Sequence, residues 1–208
     1  KKNSTKAQRL LGLRYIDGKG VEKNIDLGLS LLERAIELDD AKAMYLLGLR
    51  KFKGENLERD LAGAREIFLR SCNASFTTSM HFLGSELITG DNFKQDKAKG
   101  VELLNQAIDH DFIPAKTDLG KLLLEGKYLG QNIDKGKELI NSVINDVRPK
   151  FRRERARART ILGCFLVDDQ MSSSSDGEAL LQEAINSGYQ EALKEFGRRL
   201  LDGKNIEK

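Results

Sequence analysis

A Leu-Gly pair returns along this chain at a nearly fixed interval. It occurs at Leu11-Gly12, Leu47-Gly48, Leu83-Gly84, Leu119-Gly120 and Leu162-Gly163, and Phe196-Gly197 takes the sixth place. The glycines stand 36, 36, 36, 43 and 34 residues apart. One unit of this length cannot bury its apolar face alone, so the units must stack. Other columns keep the phase. Five residues before each glycine stand Ala7, Ala43, Ser79, Ala115, Ala158 and Ala192; six after it stand Gly18, Gly54, Gly90, Gly126, Asp169 and Gly203. About sixteen after it comes a further glycine, at Gly28, Gly63, Gly100, Gly136 and Gly177. Seven beyond that stand Ala35, Ala107, Val143 and Ala184, with Arg70 breaking the column in the second unit.

Each unit reads as two helices. Helix A carries Ala7, Leu10, Leu11 and Tyr15 at helical spacing and is stopped by Gly18 and Gly20. Helix B follows an acidic start (Asp26, Asp60, Asp96, Asp134) and carries the stripe Leu27, Leu31, Leu32, Ala35, Ile36. Glycine inside a helix is about 0.8–1 kcal/mol worse than alanine. Its return at one phase is therefore read as close helix approach, with Gly12, Gly48, Gly84, Gly120, Gly163 and Gly197 as structural glycines. The array is expected over 1–208, with units near 5–40, 41–76, 77–112, 113–155 and 156–189 and a partial or capping unit at 190–208. The seven extra residues of the fourth interval fall near Asn145 to Arg155, with longer helices expected on either side of Pro149. Ser172 to Ser175 are expected in a mobile loop.

Ala7, Leu11, Gly12, Tyr15, Gly18, Gly20 and Val21 resemble the pattern of the Sel-one-like repeat family, relatives of the tetratricopeptide repeats. Later units depart at the Tyr15 position (Phe52, Leu87, Leu123, Leu166), and Gly28, Gly100 and Gly136 stand where that family has alanine. The resemblance implies an all-α, right-handed superhelix of helix-turn-helix repeats and a role as adaptor or scaffold rather than enzyme. By analogy with tetratricopeptide repeats, positions −3, +1 and +4 from the marker glycine face a concave groove. They give Arg9, Leu13 and Ile16; Tyr45, Leu49 and Phe52; His81, Ser85 and Ile88; Thr117, Lys121 and Leu124; and Lys194, Arg198 and Leu201. This mixture suits a protein or peptide segment with acidic and apolar groups.

Arg152, Arg153, Arg155, Arg157 and Arg159 form the densest local charge. Two readings stand: a dock for phosphate, carboxylate or a nucleic-acid backbone, or a solvated helix surface paired with Glu154, Asp168 or Asp169. The overall balance of 35 basic and 32 acidic residues gives no general attraction to nucleic acid or membrane. No apolar run is long enough to cross a bilayer. Gly18-Lys19-Gly20 lacks phosphate-loop spacing, and the only histidines, His81 and His110, stand far apart without a Cys-x-x-Cys. No metal, cofactor, small-molecule substrate or catalytic residue is expected; a pairing of Cys164 with His81 would need residues two units apart to meet. A third reading makes the array the scaffold part of an enzyme whose catalytic domain lies elsewhere. Cys72 and Cys164 do not form a disulfide framework, which favours a reducing, cytoplasmic setting. A removed signal peptide would leave secretion or the periplasm open, and would give the triplets Asn3-Ser4-Thr5 and Asn73-Ala74-Ser75 meaning as glycosylation sites. The chain opens on Lys1 rather than Met, as expected of a fragment or processed form.

Overall fold

The computed structural model describes residues 2–168 and 174–202. Within them lie eleven α-helices and no strand. These are α1 (Lys2–Asp17), α2 (Ile25–Glu37), α3 (Ala41–Lys53), α4 (Leu61–Asn73), α5 (Thr77–Thr89), α6 (Lys97–Asp109), α7 (Ile113–Glu125), α8 (Ile133–Ile144), α9 (Arg152–Asp168), α10 (Ser174–Asn186) and α11 (Gln190–Leu201). The chain divides into two compact units, Lys1–His110 and Asp111–Lys208. In the first, α1 packs on α2, α3 on α4 and α5 on α6; in the second, α7 packs on α8 and α9 on α10, with α11 against α9 and α10.

Local chemistry sets the helix ends. Asn24, Asp60, Asp96 and Asn132 begin the four B helices α2, α4, α6 and α8, each accepting from the amide three residues on at 2.8–3.0 Å. Such a cap stabilises by about 1 kcal/mol. The starts expected at Asp26 and Asp134 therefore shift by two residues: the caps are the asparagines, and the aspartates lie in the first turn, beside the positive helix end. Gly54 and Gly90 end α3 and α5 in the left-handed conformation, which glycine adopts without strain. The insertion forms a short 3-10 helix, Pro149–Phe151, and a 17-residue α9; α8 keeps 12 residues, so only the following helix is lengthened. Ser174 and Ser175 begin α10 rather than lying in a loop. Asp169, Ser172 and Gly203 lie outside the described residues.

The glycine columns face one another within hairpins. A Cβ on Gly12 would lie 2.7 Å from the Gly28 carbonyl oxygen, on Gly84 2.9 Å from that of Gly100, and on Gly163 2.7 Å from that of Gly177. On Gly120 it would lie 2.9 Å from Ile140 and 3.2 Å from the Gly136 carbonyl. The second hairpin solves the same problem differently. Ala64, not Gly63, holds the facing column and is fully buried, while Gly63 stands beside the Asp60 cap. Phe68 stands where the other B helices have Leu32, Leu104, Ile140 and Leu181, and its ring takes the space beside Gly48, 2.7 Å from where a Cβ would stand. One residue's shift also corrects the other two second-unit positions. Ser71, not Arg70, is the buried small residue, and Phe52 stands in the column of buried Ile16, not of Tyr15. At Gly197 the place of a Cβ is open.

Around these seams the apolar stripes close. Ile16, Leu32, Ala35, Ile36, Ala43, Met44 and Leu47 form one cluster in the first unit, and Ile113, Leu124, Ile140, Val143, Ala158 and Leu162 another in the second. Each fully buried leucine or isoleucine contributes about 1.5–3 kcal/mol relative to exposure.

Candidate functional site

Helix packing fixes which side chains of the A helices reach the surface. In the first unit the expected face loses three members to the interior. Arg9 is only 9% exposed; it donates to Asp40 Oδ1 at 2.6 Å, and that carboxylate also accepts from the Ala43 amide at the start of α3. Arg9 thus ties α1 to the next hairpin. Ile16 and Ile88 are core. Tyr45 and Phe52 are half-buried in an aromatic cluster with Phe68, Phe76, Phe82 and Phe93, centroids 5.0–6.5 Å apart. Burial raises the Tyr45 phenol above its ordinary pKa. Leu49, His81 and Ser85 are half-buried beside this cluster in sequence phase.

In the second unit Thr117 is fully buried, and its hydroxyl donates to the Ile113 carbonyl, so it offers nothing to a partner. Leu124 is core. Lys121, Lys194 and Arg198 are exposed, each near a glutamate of its own helix: Glu125 at 3.6 Å, Glu191 at 3.7 Å and Glu195 at 2.8 Å. Lys121 and Arg198 stand on the rim of a pocket of about 360 Å³ formed by α7, α9 and α11. Leu124, Ile161, Cys164 and Phe165 supply its apolar wall. Arg199, 5% exposed, closes its base by pairing with Asp168 and Glu195, both at 2.6 Å. Burial raises the Glu195 carboxyl, but bonds from Arg199 and Arg198 outweigh it and hold the group below its ordinary value. Burial pushes the Cys164 thiol up to about 11, so at neutral pH it is a protonated wall group rather than a nucleophile.

Cys164 and, beneath it, buried Thr160, whose hydroxyl donates to the Ala156 carbonyl, also line this pocket. The offset rule applied to Gly163 yields both, so the signal was in the sequence. Arg199 and Asp168 had no such signal.

The arginine cluster divides. Arg155 donates to the carbonyls of Asp146 and Arg148, at 2.6 and 2.8 Å, and so ties down the inserted loop. Arg157 pairs with Asp118 and, at 3.5 Å, Glu154; Arg159 lies 2.8 Å from Glu183. These three are largely taken up inside the second unit, by Asp118, Glu183 and backbone carbonyls as well as the expected Glu154. Arg152 and Arg153 are exposed at the mouth of a separate cleft.

Among the described residues no group of three or more His, Cys, Asp or Glu side chains is placed to hold a metal ion. No described helix is long and apolar enough to cross a membrane.

The Sel1 repeat model matches residues 5–40, 41–76, 77–112 and 113–141. Three crystal structures are similar. A Sel1 repeat protein from Oxalobacter formigenes is 19% identical, with TM-score 0.68 over 89% of this chain and 74% of that one. A protective antigen of uropathogenic Escherichia coli displaying an SLR fold is 20% identical, with TM-score 0.62 over 96% of this chain. This chain spans 49% of that antigen's length. A Sel1 repeat protein from Klebsiella pneumoniae subsp. pneumoniae is 17% identical, with TM-score 0.56 over 93% and 92%. At these identities the likeness shows the fold, an all-α repeat solenoid. No curated protein matches the chain.

Proposed function

The chain belongs to the Sel1 repeat family, and on that premise we propose that it is a scaffold holding segments of a protein partner against its A-helix faces. Sel1 repeat proteins are generally protein-interaction scaffolds. Each of the two units offers one such face. The observation that carries it is the pocket between α7, α9 and α11, where an apolar wall lies beneath the exposed cations Lys121 and Arg198. Such a site takes an apolar side chain into the pocket and a carboxylate at its rim. Leu49 and His81 offer the corresponding surface of the first unit, while Tyr45 and Phe52 give it a rigid aromatic base. Arg9 and Thr117 serve packing, and Lys194 contributes only charge.

The chemistry on this face fits binding better than catalysis. The Cys164 thiol is held protonated, and the neighbouring acids are engaged by arginine. A reading as a nucleic-acid binder through Arg152 to Arg159 is weakened by the intramolecular partners of Arg155, Arg157 and Arg159.

The test is affinity capture from a cell extract with the native chain, a Lys121→Glu/Arg198→Glu variant and a Leu49→Ala/His81→Ala variant. The substituted residues are exposed or half-buried. Protein retained by the native chain should fall at least tenfold with one variant or the other. Equal capture by all three chains overturns the assignment of these faces.

A further inference from the structure

The cleft at the start of α9 carries a charge that its surroundings do not neutralise. It has a volume of about 570 Å³ and lies between the 3-10 helix, the first turns of α9 and the turn joining α10 to α11. Lys150, Arg152 and Arg153 stand along one side, and among the described residues Glu191 is the one acid in its lining. Arg152 reaches across to the Ser187 carbonyl at 3.3 Å, a contact that orients its guanidinium over the opening without cancelling its charge. No hydrogen bond or ion pair with another described residue takes up Arg153. Lys150 lies over the Phe151 ring, 4.7 Å from its centroid, and keeps its charge. Glu191 is itself 3.7 Å from Lys194. Tyr189 forms part of the wall, half-buried, and it begins α11 without a side-chain cap. The contrast with the rest of the cluster is sharp: Arg155, Arg157 and Arg159 each have two backbone carbonyls or a carboxylate within reach, and these three cations do not.

We propose that this cleft docks an acidic segment of a protein partner, with Arg152 and Arg153 gripping adjacent carboxylates and Lys150 a third. Guanidinium groups recognise carboxylates by paired, planar hydrogen bonds, and two on neighbouring residues suit a run of Asp or Glu. Charge complementarity selects the occupant, and the size of the footprint selects its class. Binding to a nucleic-acid backbone commonly draws on roughly six to ten phosphate contacts, whereas three cations in one cleft match a short acidic motif. The inference rests on the chain being a scaffold for proteins, but it uses none of the A-helix face residues.

The test uses the whole chain and a fluorescent twelve-residue peptide containing four consecutive glutamates. A peptide with lysines in their place and a twelve-nucleotide oligothymidylate are run alongside. At low salt the glutamate peptide should bind. Arg152→Glu/Arg153→Glu should weaken it at least tenfold, Arg153→Ala should weaken it less, and Lys135→Glu, an exposed change on α8, should leave it unaltered. Amide shifts should move at Arg152, Arg153 and the 187–191 turn. Absence of binding, indifference to the charge reversal, or tighter binding of the oligothymidylate overturns the proposal. Because the peptide assay does not involve Lys121 or Arg198, its failure leaves the A-helix faces to be judged by the capture experiment alone.

Discussion

Ser79 donates its hydroxyl to Ser71 at 2.7 Å, and Ser71 in turn donates to the Ala41 carbonyl at 2.8 Å. Both serines are fully buried where α4 meets α5. In the first and last of the comparable junctions the same two columns hold alanines, Ala35 with Ala43 and Ala184 with Ala192, all buried. One junction has therefore replaced two methyl groups with a two-hydroxyl chain and kept every donor satisfied.

That relay predicts an order of stabilities. Ser71→Ala leaves the Ser79 hydroxyl buried with its acceptor gone, which costs about 1–3 kcal/mol. The double change Ser71→Ala/Ser79→Ala removes both polar groups and recreates the alanine pair of those two junctions, so it should cost less than Ser71→Ala alone. Urea unfolding of the three chains checks this; a double variant weaker than Ser71→Ala would show that the hydroxyls do more than satisfy each other.

Arg148 predicts the acid behaviour of the inserted loop. It bonds to Asp146 at 2.6 Å and also pairs with Asp111. Its hydrogen bonds lower both carboxyls, that of Asp146 from 3.8 to about 2. A carboxyl with a depressed folded pKa contributes stability that is present above its unfolded value. That contribution is lost as pH falls through the folded value, here between about 3.8 and about 2. Arg148→Gln should flatten the decline of the unfolding midpoint in this window. An unchanged slope would detach the loop's acid response from Arg148.

The cysteines give a third expectation. Burial pushes the Cys72 thiol up to about 12 and the Cys164 thiol up to about 11. Thiolate is the reactive form, so alkylation by iodoacetamide at pH 7.5 should be much slower for the folded chain than for the chain in urea. Cys164, half-exposed on the pocket wall, should react before buried Cys72. Rapid labelling of Cys72 in the folded state would contradict its placement.

The sequence disclosed the glycine seams because close approach of two helix backbones tolerates no Cβ, and that requirement leaves a visible mark. It misplaced the second hairpin by one residue. Ala62, Gly63 and Ala64 are all small there; the sixteen-residue offset of Gly28, Gly100 and Gly136 from their marker glycines points to Ala64, but a glycine one residue earlier masks it. The −3, +1 and +4 positions of the A helices reach solvent at Lys121 and Arg198. They do not at Arg9 and Thr117, because burial there depends on how far the next hairpin wraps over the helix. The split within the arginine cluster was hidden for a different reason. The acid that pairs with Arg157 is Asp118, 39 residues earlier, and only folding brings the two together.

Two glycine-to-alanine changes test the packing of the hairpins most directly. On Gly100 a Cβ would meet Ile88 at 2.6 Å and the Gly84 carbonyl oxygen at 2.7 Å, whereas on Gly197 it would meet nothing within 4 Å. Thermal unfolding should show Gly100→Ala destabilised, by about 1–3 kcal/mol for an overpacked site. Gly197→Ala should be stabilised by up to about 1 kcal/mol through helix propensity. If Gly100→Ala unfolds at or above the temperature of the native chain, the helices are not held together by backbone approach at these glycines.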